Sequence, residues 1–230
     1  MERLRGNMPQ YPIFINCRDR LTCTSMLLDR LVSVGCENIL LVDNGSTYEP
    51  LLDWYKSVNV EVIYLNDNFG QQAPWRAGLV EKYASNNYFV VTDPDILPID
   101  ECPDDFMDYF KSVLDRYSDR TKVGFNLKID DIPDHYRFKK EVIAHESQYQ
   151  NWLGPEDLLL FAPIDTTFAL YRPNASIDIS FSCRTKYPYI ARHYPWYLDS
   201  NNPGDEEIYY INNANPVINS WSHMRKPFWM

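Results

Sequence analysis

Two carboxylates one residue apart, Asp93-Pro94-Asp95, end the apolar run Tyr88-Phe89-Val90-Val91-Thr92. A run of aromatic and β-branched residues of that length reads as a buried strand. Proline after Asp93 keeps that aspartate out of the helical region, so the chain leaves the strand extended. In extended backbone, residues two apart project to the same side. The two carboxylates can therefore converge on one hard divalent cation. The plain alternative is a solvated acidic turn. Three more polar clusters end apolar runs upstream: Arg18-Asp19, Asp43-Asn44 and the turn at 66–70.

The elements that must carry these clusters alternate through the first half. Strands are expected over 11–16, 38–42, 60–65 and the run ending at Asp93. Helices are expected over 22–34, 49–57 and about 72–84. The first helix would bury Leu27, Leu28, Leu31 and Val32 and stop at Gly35. Strands separated by helices imply right-handed crossovers and a mainly parallel sheet, whose ligands sit outside the carboxyl ends of the strands. All four polar clusters fall at those ends.

The second half is less regular. It offers a helix over 103–117, a strand over 122–128 and a charged, poorly periodic stretch over 130–151. A strand over 163–171 would have Asp165 near its start. The aromatic stretch 187–197 contains prolines that deny it long regular structure, and a helix over 205–213 would be capped by Asp205. With no linker visible, residues 1–230 read as one α/β domain. Its nucleotide-type half spans about 11–100 and its more irregular acceptor-type half about 101–230.

A net charge of −10 leaves no basic stripe for nucleic acid and no polybasic patch for a membrane surface. Residues 1–10 are polar, and no segment reaches the length of a membrane span. Five scattered cysteines without CxxC spacing argue against a zinc site or a disulfide framework and fit a reducing, cytoplasmic setting. His193, inside the aromatic stretch, reads either as a group serving an acceptor or phosphate or as part of a packed aromatic loop.

The segment Ile39-Leu40-Leu41-Val42-Asp43-Asn44-Gly45-Ser46 resembles the second-strand motif of family 2 glycosyltransferases, hydrophobic-Val-Asp-(Asp/Asn)-Gly-Ser. Asn68-Phe69-Gly70, then Arg76-Ala77-Gly78-Leu79, resembles that family's Asn-x-Gly and Ala-Arg-Asn-x-Gly segments. Asp93-Pro94-Asp95 falls where these enzymes carry Asp-x-Asp. The resemblance covers roughly 11–100. It implies the GT-A fold, a Rossmann-like, mainly parallel sheet flanked by helices. It also implies a UDP-, GDP- or dTDP-sugar donor, Mn2+ or Mg2+, and a carbohydrate or glycolipid acceptor hydroxyl. By the same resemblance Asp43 would accept the base's ring N–H, and Arg18 and Asp19 would line the nucleotide. Asn68 and Gly70 would lie at the donor and Arg76 near the ribose or diphosphate. Asp95 would be the main metal ligand, with Asp93 nearer the ribose or bound through water. Such a metal neutralises charge on the departing diphosphate. Asp43 is equally a turn former and Arg76 a surface helix residue.

An inverting transferase needs a carboxylate to deprotonate the acceptor. Family 2 enzymes carry it at the start of a late helix, where this chain has Gly204-Asp205-Glu206-Glu207, making Glu206 and Asp205 candidates. Asp165, in Pro163-Ile164-Asp165-Thr166-Thr167, is another. Near the C-terminus, His223-Met224-Arg225-Lys226-Pro227-Phe228-Trp229 resembles the late His-x-Gly-x-x-Lys-Pro-Trp of retaining family 8 enzymes, without its glycine and with Phe228 inserted. It implies His223 as a metal ligand and Lys226 on the diphosphate. The first half thus points to inversion and the last segment to retention. A haloacid-dehalogenase phosphatase would place its Asp-x-Asp after the first strand. A sugar nucleotidyltransferase would open on a Gly-rich loop where this chain has Asn16-Cys17-Arg18-Asp19-Arg20. A carbohydrate-binding module needs no paired carboxylates on a nucleotide edge.

Overall fold

Alternation along the first two strands sends side chains into two cores. From β1 (Ile13–Cys17), Ile13, Ile15 and Cys17 enter one core and Phe14 the other; from β2 (Ile39–Asp43), Ile39 and Leu41 part from Leu40 and Val42 in the same way. A sheet apolar on both faces needs helices on both faces. The computed structural model describes residues 11–214 and supplies them. His223 and Lys226 lie outside the described residues.

On the first face, α1 (Leu21–Ser33) buries Leu27, Leu28 and Leu31, each worth roughly 1.5–3 kcal/mol. Val32, expected on that face, is 54% exposed, because the stripe ends one residue earlier. The helix stops where Gly35 takes φ 92°. The Gly35 N–H donates to the Val32 carbonyl and the Cys36 N–H to that of Leu31, each at 3.0 Å, a Schellman closure. Next come α2 (Glu49–Tyr55) and β3 (Glu61–Tyr64). The helix expected over 72–84 is two short ones, α3 (Ala73–Arg76) and α4 (Leu79–Ala84). Gly78, at φ 69°, turns the chain left-handed between them.

The strand β4 (Phe89–Thr92) closes the parallel half. The order β3-β2-β1-β4 has parallel pairing throughout, with Cys17 beside Asp43, Asp43 beside Tyr64 and Ile15 beside Thr92. The four carboxyl ends therefore share one edge. Antiparallel junctions begin with the irregular half. Beyond β4 the sheet continues through β8 (Ala169–Tyr171), β6 (Lys122–Leu127), β9 (Ser182–His193) and β5 (Ile96–Pro98), with β7 (Leu159–Leu160) also paired to β9. One sheet of nine strands thus runs through both halves of the described residues.

Several expectations for the second half change. The strand placed at 163–171 shortens to β8, leaving Asp165 in the loop before it. The prolines of the aromatic stretch do not stop β9, which runs straight through Pro188. Its register against β6 jumps from Phe125↔Thr185 to Asn126↔Ile190, so Pro188 falls in a bulge where no ladder N–H is needed. Helix α5 (Phe106–Arg116) is as expected but shorter, while α6 (Lys139–Ser147) stands inside the poorly periodic stretch. The last described helix, α7 (Asp205–Asn213), has the expected bounds, but Gly204 is its N-cap and Asp205 its first helical residue. Among the described residues, no helix is long and apolar enough to cross a membrane.

Candidate active site

The carboxyl edge gathers residues from six segments. Leaving β1, Asp19 takes a left-handed conformation (φ 50°) and turns its carboxylate inward, where it is 1% exposed. Its Oδ1 accepts the N–H groups of Thr47 (2.6 Å) and Tyr48 (2.9 Å), and its own N–H donates to the Ser46 hydroxyl (3.1 Å). Expected to line the nucleotide, Asp19 ties the β1 loop to the β2 loop in this structure. The Arg18 guanidinium, more exposed, lies 3.5 Å from Asp19 and donates to the Asn44 carbonyl (3.4 Å).

Asp43 ends β2 and is 3% exposed. One oxygen, Oδ2, accepts the Ser46 N–H at 3.2 Å and closes the Asp-Asn-Gly-Ser turn. The other, Oδ1, is buried and faces the buried Tyr55 hydroxyl. Burial, opposed by Ser46, raises the Asp43 carboxyl above its ordinary value. Gly45 (φ 71°) follows. A Cβ there would stand 3.3 Å from the Asp67 carbonyl carbon, so a side chain would push the two loops apart by a few tenths of an ångström, at a positive φ that itself favours glycine.

Asn16 and Asn44 hold the 66–70 turn over the edge. Both side-chain amides donate to the Gly70 carbonyl, at 3.2 and 2.9 Å, while Asn44 Oδ1 accepts the Phe69 N–H at 2.7 Å. Asn68 closes the turn through Oδ1, which accepts the Gly70 N–H (2.8 Å). Arg76 donates to the Phe69 carbonyl (3.1 Å) and so braces the same turn from α3. The sequence places Asn44 at this edge without a role and does not single out Asn16. The signal was present, since an Asn buried at a strand end needs partners.

Asp93 and Asp95 leave β4 half-buried, and the charge of Asp95 acts on Asp93. Burial, and then the Asp95 charge, push the Asp93 carboxyl well above the usual carboxylate range; the Thr166 hydroxyl opposes the shift by donating to Oδ2 at 2.7 Å. His193 Nε2 lies 3.6 Å from Asp95 Oδ2, its ring packed on Trp196 with centroids 4.7 Å apart. The register Ile96↔His193 brings it there through β5, a strand too short to show in the sequence. Trp196 is 1% exposed and belongs to the core, so it offers no face to a sugar.

These residues fit an open cation site. Two hard carboxylate oxygens stand together and repel each other, a repulsion a divalent cation would relieve. No closed cage of three or more His, Cys, Asp or Glu forms among the described residues. A cation held by the pair would have to complete its coordination with phosphate and water.

Asp165 approaches the same edge from the loop before β8. Solvent reaches its carboxylate, while protein crowds it from below. Its Oδ1 accepts the Thr167 N–H (3.1 Å) and hydroxyl (2.8 Å). That enclosure works against ionisation, but the Thr167 bonds and the Arg184 and Lys122 cations hold the carboxyl below its ordinary value. Asp93 and Asp165 are therefore pushed in opposite directions, the pattern that separates acid from base.

The late-helix acids lie over the β1 and β2 loops, where two of them have other partners. Glu206 accepts the Thr22 N–H and hydroxyl, both at 3.0 Å, capping an α1 that has no side-chain cap of its own. Glu207 pairs with Arg20, which is 4% exposed and lies 3.7 Å from the Tyr210 ring centroid. Tyr209 donates its hydroxyl to Thr47 (2.9 Å). Asp205 is exposed at the helix start. So α7 straps the β1 and β2 loops together, while Asp165 is exposed beside Asp93 with its charge sustained.

No family model matches the chain, and no curated protein does. Among solved structures, one described only as a mycobacterial protein is 12% identical, with a TM-score of 0.47 over 80% of this chain and 67% of that one. Glucosyl-3-phosphoglycerate synthase from Mycobacterium tuberculosis, in complex with phosphoglyceric acid, is 12% identical, with a TM-score of 0.42 over 71% of this chain. The chain covers 57% of that synthase. Likeness at this level leaves the functional reading to the site itself.

Proposed function

We propose that the chain is a GT-A-type glycosyltransferase that moves a sugar from a nucleotide-sugar donor to an acceptor hydroxyl. The observation that carries the reading is the convergence, on one sheet edge, of the Asp43 turn, the 66–70 turn, the Asp93–Asp95 pair and Asp165. The nucleoside would lie over the β1 and β2 ends, with the Asp43 carboxylate as the acceptor for a base N–H. Asp93 and Asp95 would hold Mn2+ or Mg2+, which when bound neutralises the departing diphosphate. Asp165, kept ionised, takes the proton of the acceptor hydroxyl, which then attacks the anomeric carbon from the face opposite the nucleotide and inverts it.

Thermal shift with UDP-, GDP- and dTDP-sugars, with and without Mn2+, selects the donor. NMR of the product anomer then tests the rest. Metal-dependent stabilisation followed by an inverted product supports the reading. A retained anomer removes Asp165 as the base, and no stabilisation by any nucleotide removes the reading altogether.

A further inference from the structure

Beneath the Asp165 loop lies a buried polar layer that the reaction outlined above does not use. Lys122, at the start of β6, is 0% exposed, the most complete burial of any charged residue described. Its Nζ donates to the Asp165 backbone carbonyl at 3.1 Å and lies 3.3 Å from the Tyr171 hydroxyl. No carboxylate oxygen pairs with it directly among the described contacts. One strand over, Arg184 Nε donates to the Pro163 carbonyl at 2.7 Å, and its Nη1 reaches Glu146 (2.6 Å) and Asn126 (3.3 Å). Arg184 thus has a counter-ion in Glu146, whereas Lys122 has only the charge of Asp165 and, farther off, Asp178. Burying an ammonium without a paired carboxylate is costly, and such a group usually loses its proton or has a task.

We propose that Lys122 is a positioning residue for Asp165: its buried Nζ pins the backbone of the Pro163–Asp165 loop from beneath the sheet, aiming the carboxylate into the cleft. The inference rests on Asp165 being the base. The cation also supplies the positive charge that the carboxylate needs from below, while Thr167 fixes it from the side. The charged and titratable groups facing Asp165 are Lys122 from β6, Arg184 from β9, Tyr171 from β8, Asp93 from the end of β4, and His145 and Tyr149 from α6 and the turn after it. Of these, only Lys122 and Tyr171 touch the Asp165 backbone.

Lys122→Met keeps an unbranched apolar stem and removes the terminal ammonium donor. Turnover should fall about 10- to 100-fold with the donor KM unchanged, the signature of a base displaced by a fraction of an ångström. In the same variant, amide exchange at Thr167 should quicken about tenfold while β1 and β2 stay protected. Should Lys122→Met not fold, Tyr171→Phe removes the other hydrogen bond to the Asp165 carbonyl and should move both readouts in the same direction by less. Unchanged Thr167 exchange overturns the proposal, and so does faster exchange with full turnover. If the wild-type protein transfers no sugar from any donor, the glycosyltransferase reading fails, and Thr167 exchange still decides whether Lys122 holds the loop.

Discussion

Glu206 caps the amino end of α1 by accepting both the N–H and the hydroxyl of Thr22 at 3.0 Å, although 184 residues separate the two. A carboxylate so engaged serves the helix dipole and two orphan donors rather than an acceptor hydroxyl. Glu206→Gln should therefore lower stability by about 0.5–1 kcal/mol and leave turnover far above that of Asp165→Asn. Asp165→Asn should reduce turnover by about 10²–10⁴-fold with little change in Tm. Steady-state kinetics on both variants checks the pair, and equal losses in turnover would return Glu206 to the active site.

Asn44 makes two hydrogen bonds to one turn, and truncation would take the side-chain acceptor from the Phe69 N–H and leave the Gly70 carbonyl to Asn16 and the Ala73 N–H. Asn44→Ala should cost about 2 kcal/mol, a fall in Tm of roughly 4–8 °C for a chain this size. Because the turn lies over the proposed nucleotide site, donor affinity should fall as well. Calorimetry and donor titration read the two effects separately.

At saturating nucleoside diphosphate and Mn2+, about 100 times the dissociation constant, the wild type should gain about 2.7 kcal/mol. Asp95→Asn should lose the Mn2+-dependent part of that gain. Asp93→Asn should do the same and, without metal, melt about 2–4 °C higher at neutral pH, because it removes a buried, repelled carboxylate. The sign follows from the raised folded value. Protonated Asp93 stabilises the fold at low pH, and that contribution is lost as pH rises through its folded value. The advantage of Asp93→Asn should accordingly vanish toward acid in a melting series.

Burial lowers the Lys122 ammonium from 10.5 to about 8. A lysine lowered on folding disfavours the native state below its folded value, where both states are charged. The penalty lifts as pH rises from about 8 to 10.5, where the unfolded chain binds more protons. The stability of the wild type relative to Lys122→Met should therefore improve across that interval and level off beyond it. Denaturant titrations at several alkaline pH values measure the difference, and a flat difference would mean that Lys122 stays charged in the fold.

The parallel half was legible because its strands are continuous apolar runs and each ends in a polar pair. Asp43, Asn68, Gly70, Asp93 and Asp95 all stand on the edge that strand order assigns to them. What the sequence hid depends on distant pairing. His193 meets Asp95 only because a three-residue strand, β5, pairs with β9, and β9 persists through Pro188 only because its bulge falls there. Helix α6 carries no clear apolar stripe, since it buries Val142 and the paired Glu146 together. The Asp19 carboxylate looked available for a ligand, and nothing local reveals that it folds back on two amides of the next loop. Lys122 opens an expected strand, and nothing local to it shows that its ammonium ends buried on the Asp165 carbonyl.

The strap formed by α7 also bears on synthesis. Arg20 and Thr22 leave the ribosome early, but Glu207 and Glu206, which neutralise and cap them, follow more than 180 residues later. Until then a nascent chain carries an exposed cation and an uncapped helix end beside a half-built carboxyl edge. The parallel half can therefore collapse during translation without closing that edge, and the proposed site waits for nearly the whole described chain to emerge.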